Sequence, residues 1–304
     1  MIYLPNLSMK TLSRNAMIGY PAGIIAGITY GLNPLFAVPL MKHGAAIESI
    51  LFFRYAFAVL LLGAFLLLRR ESLRISPRQA GVLLMLGLLY ASSSLSLFEA
   101  YRYIESGLAT TLVFLYPVLV AIIMVFLRVV PSWRVWLAIF VAFIGVLIMT
   151  QSEASRPVNP VGVSLAMASA LFYAFFIVII NRNRAIRTLS NPLLTFYALL
   201  VGAALFIART AEAGAGLTSG IATAADWGNL FGLSLFPTII STATLAIATR
   251  NIGATKASVL GVFEPVTAII VGTLVFGEVL TTNIIVGILL SMLAVAFMIA
   301  TTKR

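Results

Sequence analysis

Glu264 lies in the middle of an apolar run at 255–276 and is followed by Pro265. A carboxyl at such a depth costs several kcal/mol unless it is protonated, paired or wetted, so an intramembrane acid is a functional candidate by default. Pro265 removes a backbone N–H and frees the carbonyl of Leu260 or Gly261. A carboxyl beside a broken hydrogen-bond ladder suits a proton site or a cation ligand. The bland alternative is a neutral Glu that ties its helix to a neighbour. Arg54 lies inside the run at 47–68. Its paired donors suit a substrate carboxylate, and its bland alternatives are snorkelling or an internal ion pair.

Tyr30 and Asn33 are three residues apart and share a helical face. Asn33 precedes Pro34, a second point of local distortion. Tyr30, Tyr90, Tyr173 and Tyr197 fall inside apolar runs, whereas interfacial aromatics sit near the ends of spans. Lining a cavity and ordinary packing fit each of them about equally. The candidate substrate-binding residues are therefore Tyr30, Asn33, Arg54, Tyr90, Tyr173, Tyr197 and Glu264, with Glu264 also the coupling candidate. Two hydroxyl stripes, Ser234/Thr238/Ser241/Thr242 and Ser92/Ser96/Glu99, recur at helical spacing and favour close helix packing over a pore lining.

Other chemistries find little support. The chain has no cysteine and one histidine, His43, placed in a short loop with no Ser or carboxylate motif to use it. The HExxH and Walker A motifs are absent, so neither a zinc enzyme nor direct ATP drive is expected, and no cofactor or metal is called for. A channel would need a filter motif, which is not evident. The reading is a carrier and not an enzyme, with a membrane scaffold or accessory subunit as the different-class alternative.

The elements that must position these residues follow from composition. Of 304 residues 61% are hydrophobic and 10% charged, against about 25% charged in an ordinary soluble domain. Ten apolar stretches are long enough for helical spans, at roughly 17–40, 47–68, 79–98, 106–127, 134–150, 160–181, 191–209, 228–249, 255–276 and 282–300. None alternates as barrel strands would. Residues 1–16 read as a cytoplasmic tail, and the first span is too long for a signal peptide. Segment 210–227 reads as a loop.

Charge sets the orientation. Fifteen Lys and Arg fall on one face, at the N-terminus, at Arg69, Arg70, Arg74 and Arg78, at Arg128 and Arg134, at Arg182, Arg184 and Arg187, at Arg250 and Lys256, and at the C-terminus. The other face has four: Lys42, Arg102, Arg156 and Arg209. That bias puts both termini in the cytoplasm. Most acids, including Glu48, Glu105, Glu153, Glu212, Asp226 and Glu278, lie toward the other face. Topology thus accounts for the net charge of +11, and no nucleic-acid partner is needed.

The two halves resemble each other. When Pro117 meets Pro265, the segment from Phe98 aligns without a gap on the segment from Ala246, matching Ala100/Ala248, Arg102/Arg250, Ile104/Ile252, Ala109/Ala257, Leu112/Leu260 and Val118/Val266. Each half holds five spans, and an odd number inverts the second half relative to the first, as in many secondary transporters. The expected fold is an all-α integral membrane protein: ten transmembrane helices in two inverted five-helix repeats, 17–150 and 160–300, around a central cavity.

At this point the chain resembles a known family. GITYGLNPLF (27–36), FFRYAFAVLLL (52–62), ALFYAFFIVI (170–179) and the stretch 262–299, with Glu-Pro and then Gly-Glu, resemble the EamA family of the drug/metabolite transporter superfamily. One departure is Arg128-Val129-Val130-Pro131, where the family often has a Gly-Glu turn. The resemblance implies ten helices, cytoplasmic termini, a bacterial inner-membrane location and export or exchange of small metabolites. The expected partners are a small-molecule substrate, the lipid bilayer and, where transport is coupled, protons. An exporter of amino acids or related amphiphiles by alternating access is one reading. A facilitator of a nucleoside, vitamin or drug-like solute is the other.

Overall fold

The computed structural model describes residues 6–104, 106–150, 159–212, 216–277 and 282–302. Glu105, Glu153, Arg156, Glu278, Lys303 and Arg304 therefore lie outside the described residues. Among the described residues the regular structure is entirely helical. In chain order the helices are α1 (Asn6–Gly31), α2 (Asn33–Lys42), α3 (Ile47–Leu68), α4 (Pro77–Ala100), α5 (Ser106–Val113), α6 (Tyr116–Phe126), α7 (Trp133–Thr150), α8 (Pro160–Arg182), α9 (Asn191–Glu212), α10 (Ala224–Leu233), α11 (Ser241–Ile252), α12 (Ala254–Val259), α13 (Phe263–Phe276) and α14 (Thr282–Thr302). The first helix thus reaches back to Asn6, into the segment expected as a tail.

Seven helices or helix pairs are long and apolar enough to cross a membrane, and Tyr116–Phe126, Trp133–Gly145 and Ile285–Phe297 are shorter apolar helices. The chain is a multi-pass integral membrane protein. Helix is the forced solution, because a spanning segment must satisfy its own backbone polar groups in hydrocarbon. Caps mark the ends. Ser76 and Gln79 form a capping box on α4, Thr223 and Asp226 form one on α10, and Asn159 caps α8 ahead of Pro160.

Four apolar runs are interrupted at prolines. The first breaks between α1 and α2 at Pro34, and another between α5 and α6 just before Pro117. A π-helical turn, Ser234–Ile240, carries Pro237 between α10 and α11. A 3-10 turn, Leu260–Val262, precedes Pro265 in α13. Proline deprives the carbonyl four residues back of its donor, so each break exposes polar backbone in an apolar setting.

Packing repeats the sequence symmetry. A shift of 148 carries Ser106, the start of α5, to Ala254, the start of α12, and Tyr116 to Glu264. The main contacts come in exchanged pairs: α1 on α11 with α8 on α4, and α1 on α13 with α8 on α5 and α6. Two helices pack on their own counterparts, α3 on α9 and α7 on α14. An interface between two copies related by a two-fold has this form, in which each contact is matched by its exchange. The α7–α14 pair is held chiefly to itself, at the side of the bundle, while the interrupted helices meet in the middle.

Candidate functional site

Two of the breaks are mended by a neighbouring side chain. Pro34 leaves the Tyr30 carbonyl without its helical donor, and Asn33 Nδ2 supplies one at 2.9 Å. At Pro237 the ladder passes into the i+5 bonds of the π-helical turn, and the Thr238 hydroxyl adds a donor to the Leu233 carbonyl at 2.7 Å. Arg54 Nε then donates to Thr238 Oγ1 at 2.5 Å, and Nη2 to the Pro237 carbonyl at 3.3 Å. The guanidinium lies 5.8 Å from the ring centres of both Tyr55 and Phe98. Arg54 is fully buried, so it does not snorkel. Among the described residues it has no acidic partner. A buried charge costs several kcal/mol after relaxation. Two bonds from a charged donor at about 1.5–3 kcal/mol each and two ring faces at about 0.5–2 kcal/mol each offset much of that.

Glu264 is held differently. Its single partner among the described residues is the Tyr116 hydroxyl, which donates to Oε1 at 3.0 Å. The carboxyl is 4% exposed. Tyr116 reaches it across Gly261, where any Cβ would overlap the tyrosine hydroxyl. On the other side α1 comes close: a Cβ on Gly31 would stand 2.5 Å from the Glu264 carbonyl oxygen. Tyr30 and Asn33 flank that contact. Asn33 Oδ1 is buried with no partner, so an acceptor is left open near the carboxyl's helix.

Between these two charges runs a layer of rings. Tyr173 stacks on Tyr30 at 5.6 Å and meets Tyr116 edge-on at 4.8 Å. Tyr90 sits 6.4 Å from Tyr173 and 5.7 Å from Tyr55, and Phe176 closes the group against Tyr90 and Tyr173. The Tyr55 hydroxyl bonds Ser94 at 2.8 Å, and Thr242 donates to the Tyr90 hydroxyl at 3.2 Å. All five tyrosines are buried. Rings in mutual contact occupy the place where the sequence suggests a cavity. Ring contacts run from Tyr55, over which the Arg54 guanidinium lies, through Tyr90 and Tyr173 to Tyr116, the partner of Glu264.

The structure thus gathers Tyr30, Asn33, Tyr90, Tyr173 and Glu264 and sets Arg54 beside the same layer. Tyr197 stands apart, with its hydroxyl donating at 2.6 Å to the Leu73 carbonyl at the arginine-rich end of the bundle. Of the hydroxyl stripe, Thr238 and Thr242 serve Arg54 and Tyr90, and Ser241 ties to the Ala26 carbonyl at 3.1 Å. Tyr55 and Tyr116 belong to the site and are not among the sequence candidates. Both had a signal: Tyr55 adjoins Arg54, and the repeat alignment sets Tyr116 opposite Glu264.

His43 also has a partner, against expectation. Its Nδ1 lies 2.7 Å from Oδ1 of Asp226, a buried carboxylate that also accepts from the Ala222 and Thr223 N–H groups and the Thr223 hydroxyl. Nearby, Arg209 faces Glu48 at 3.9 Å and Lys42 lies over Phe276. The opposite end is tied by Gln79 to Ala185 and Thr188, by Arg250 to the Leu189 and Ile186 carbonyls and by Asn181 to the Thr249 carbonyl.

Comparison with known proteins bears on this arrangement. The family model of EamA-like transporters matches residues 17–151 and again 160–300. No curated protein matches the chain. A solved structure titled only as the crystal structure of a protein superposes with a TM-score of 0.74 over 96% of this chain and 98% of its own. At 16% identity it shows a shared fold alone.

Proposed function

The chain belongs to the EamA-like transporter family, and we propose that it is a secondary transporter that exports small zwitterionic metabolites, amino acids or related amphiphiles, by alternating access. The single observation that carries this reading is the opposed pair of buried charges. Among the described residues Arg54 meets no acid and Glu264 meets a hydroxyl and no cation, and tyrosine rings lie between. A solute with a carboxylate for Arg54, an ammonium for Glu264 and Asn33 Oδ1, and an apolar body for the rings compensates both ends at once. Either charge alone selects an anion or a cation.

On this reading the ten apolar stretches are ten spans, seven long and three short, in two inverted repeats. The arginine-rich end and both termini face the cytoplasm, the His43 end faces outward, and the bilayer is a bacterial inner membrane. Ties at both ends close the site, and transport opens one set at a time. Glu264 is the coupling residue: a proton and the substrate ammonium compete for its carboxylate.

A thermal-shift panel tests the substrate class. Zwitterionic amino acids are expected to raise the melting temperature of the purified protein, and matched amines or carboxylates alone are not. Equal stabilisation by a simple amine overturns the zwitterion reading. In liposomes, Glu264→Gln is expected to abolish flux driven by a pH gradient while retaining exchange of substrate for substrate. Full pH-driven flux in that variant favours a facilitator with a structural Glu264.

A further inference from the structure

Tyr116 and Glu264 are 148 residues apart, the shift that superimposes the two repeats. The hydrogen bond between them therefore joins equivalent positions, each just before the proline of its own broken helix. Only groups close to a two-fold axis can touch their own equivalents. A second contact between paired repeat helices lies between α7 and α14, where the Ser291 hydroxyl donates to the Ala142 carbonyl at 3.3 Å.

The two equivalent breaks share their backbone course and differ in their side chains. Where the first repeat has Val113, Tyr116 and Pro117, the second has Gly261, Glu264 and Pro265. Gly261 is the half of this difference that makes room. With valine's bulk there, the Tyr116 hydroxyl would have no seat, and the carboxyl would lose its partner in Tyr116.

Inverted repeats move between inward and outward states largely by exchanging conformations around a fixed midplane site. Exchange sends a contact between unlike positions to a different place. It sends a contact between equivalent positions to itself. The ties at the two ends, His43 to Asp226 and Gln79 to Thr188, are of the first kind, and the Tyr116–Glu264 pair is of the second.

We propose that Tyr116, seated on Gly261, is a positioning residue that holds the Glu264 carboxyl on the pseudo-two-fold axis in both inward and outward states. One carboxyl then serves both openings at the same depth, and the bond is a pivot and not a gate. This rests on the alternating-access reading above.

The experiment is infrared spectroscopy of the purified full chain in lipid nanodiscs, with the Glu264 carboxyl band assigned by its loss in Glu264→Gln. Two locked forms are made in the cysteine-free chain: His43→Cys with Asp226→Cys, and Gln79→Cys with Thr188→Cys, each joined by a short bifunctional thiol reagent. Tyr116→Phe and Gly261→Ala are each expected to move the band, by the same shift, in the free protein and in both locked forms. Tyr197→Phe, which removes a hydroxyl bonded to the Leu73 carbonyl away from the site, leaves the band in place. A band that responds to Tyr116→Phe in one locked form alone makes the pair a gate and overturns the proposal, as does a band that neither variant moves. Failure of the carrier reading looks different: a third cysteine, introduced at the unlocked end, then labels no faster in either locked form than in the unlocked protein, whatever the band does.

Discussion

The breaks at Pro237 and Pro265 each bring a charged side chain into the apolar interior, and they treat it in opposite ways. At Pro237 a carbonyl, a hydroxyl and a guanidinium form one chain of hydrogen bonds, from Arg54 through Thr238 to Leu233. Arg54 also holds the Pro237 carbonyl and two ring faces. Its charge is part of how the π-helical turn is built. At Pro265 the carboxyl has one partner among the described residues, the Tyr116 hydroxyl from the other repeat. A charge that completes the backbone is fixed by the fold, and a charge with a single hydroxyl partner is free to take a proton or a cation. The same kind of helix defect thus anchors a charge in one place, where Arg54 is held ready for a carboxylate, and leaves an acid free to exchange its proton in the other.

The contrast fails or sharpens on substitution. Arg54→Leu should be the costliest change. It leaves the Thr238 hydroxyl with one bond fewer and the Pro237 carbonyl without its side-chain donor, at about 1–3 kcal/mol for each buried group left unsatisfied. A melting temperature unchanged in nanodiscs would show that Arg54 is no part of the turn. Thr238→Val comes next. It keeps the shape but takes the second donor from the Leu233 carbonyl and an acceptor from Arg54, so a loss of about 1–3 kcal/mol is expected, together with loss of zwitterion binding in the thermal-shift panel.

Glu264→Gln should cost less than about 1 kcal/mol, because an amide oxygen still accepts from Tyr116, in line with the usual net worth of one neutral hydrogen bond. Its melting temperature should stay near wild type even as pH-driven flux is lost. A collapse in stability would place Glu264 with Arg54 as a structural charge. The smallest effect is expected at Arg128, which ends α6 with φ of 59°, where Gly277 ends α13 with φ of 71°. A side chain in the left-handed region costs about 1–2 kcal/mol and glycine's entropy about 0.5–1 kcal/mol, so Arg128→Gly should stabilise slightly, by under about 1 kcal/mol. A drop in melting temperature would mean that the arginine side chain holds something the bare turn does not.

Much of the architecture was legible because a bilayer makes its demands locally. Each span must satisfy its own backbone, so the apolar runs, their breaks at Pro34, Pro117, Pro237 and Pro265, and the depth of Glu264 can all be read along the chain. The repeat was visible for the same reason, since Pro117 and Pro265 punctuate like segments. Partners were not legible. Which residue meets Glu264 depends on how two helices rotate about their own axes, and periodicity names a face without naming what the face touches. Tyr197 shows the limit: its place within a span matches that of Tyr173, yet its hydroxyl turns to a loop carbonyl.

The sequence by itself determined a multi-pass helical protein, its two related halves, and a buried acid and a buried arginine that must be accounted for. Only the tertiary structure decided that Arg54 faces Pro237 and Thr238 and not Glu264, that five tyrosines form one layer, and that His43 finds Asp226. Those pairs are separated by 35 to 184 residues. The physical reason is that hydrocarbon enforces each helix singly, whereas a hydrogen bond between helices needs two surfaces brought within about 3 Å, and that is settled by packing of the whole bundle.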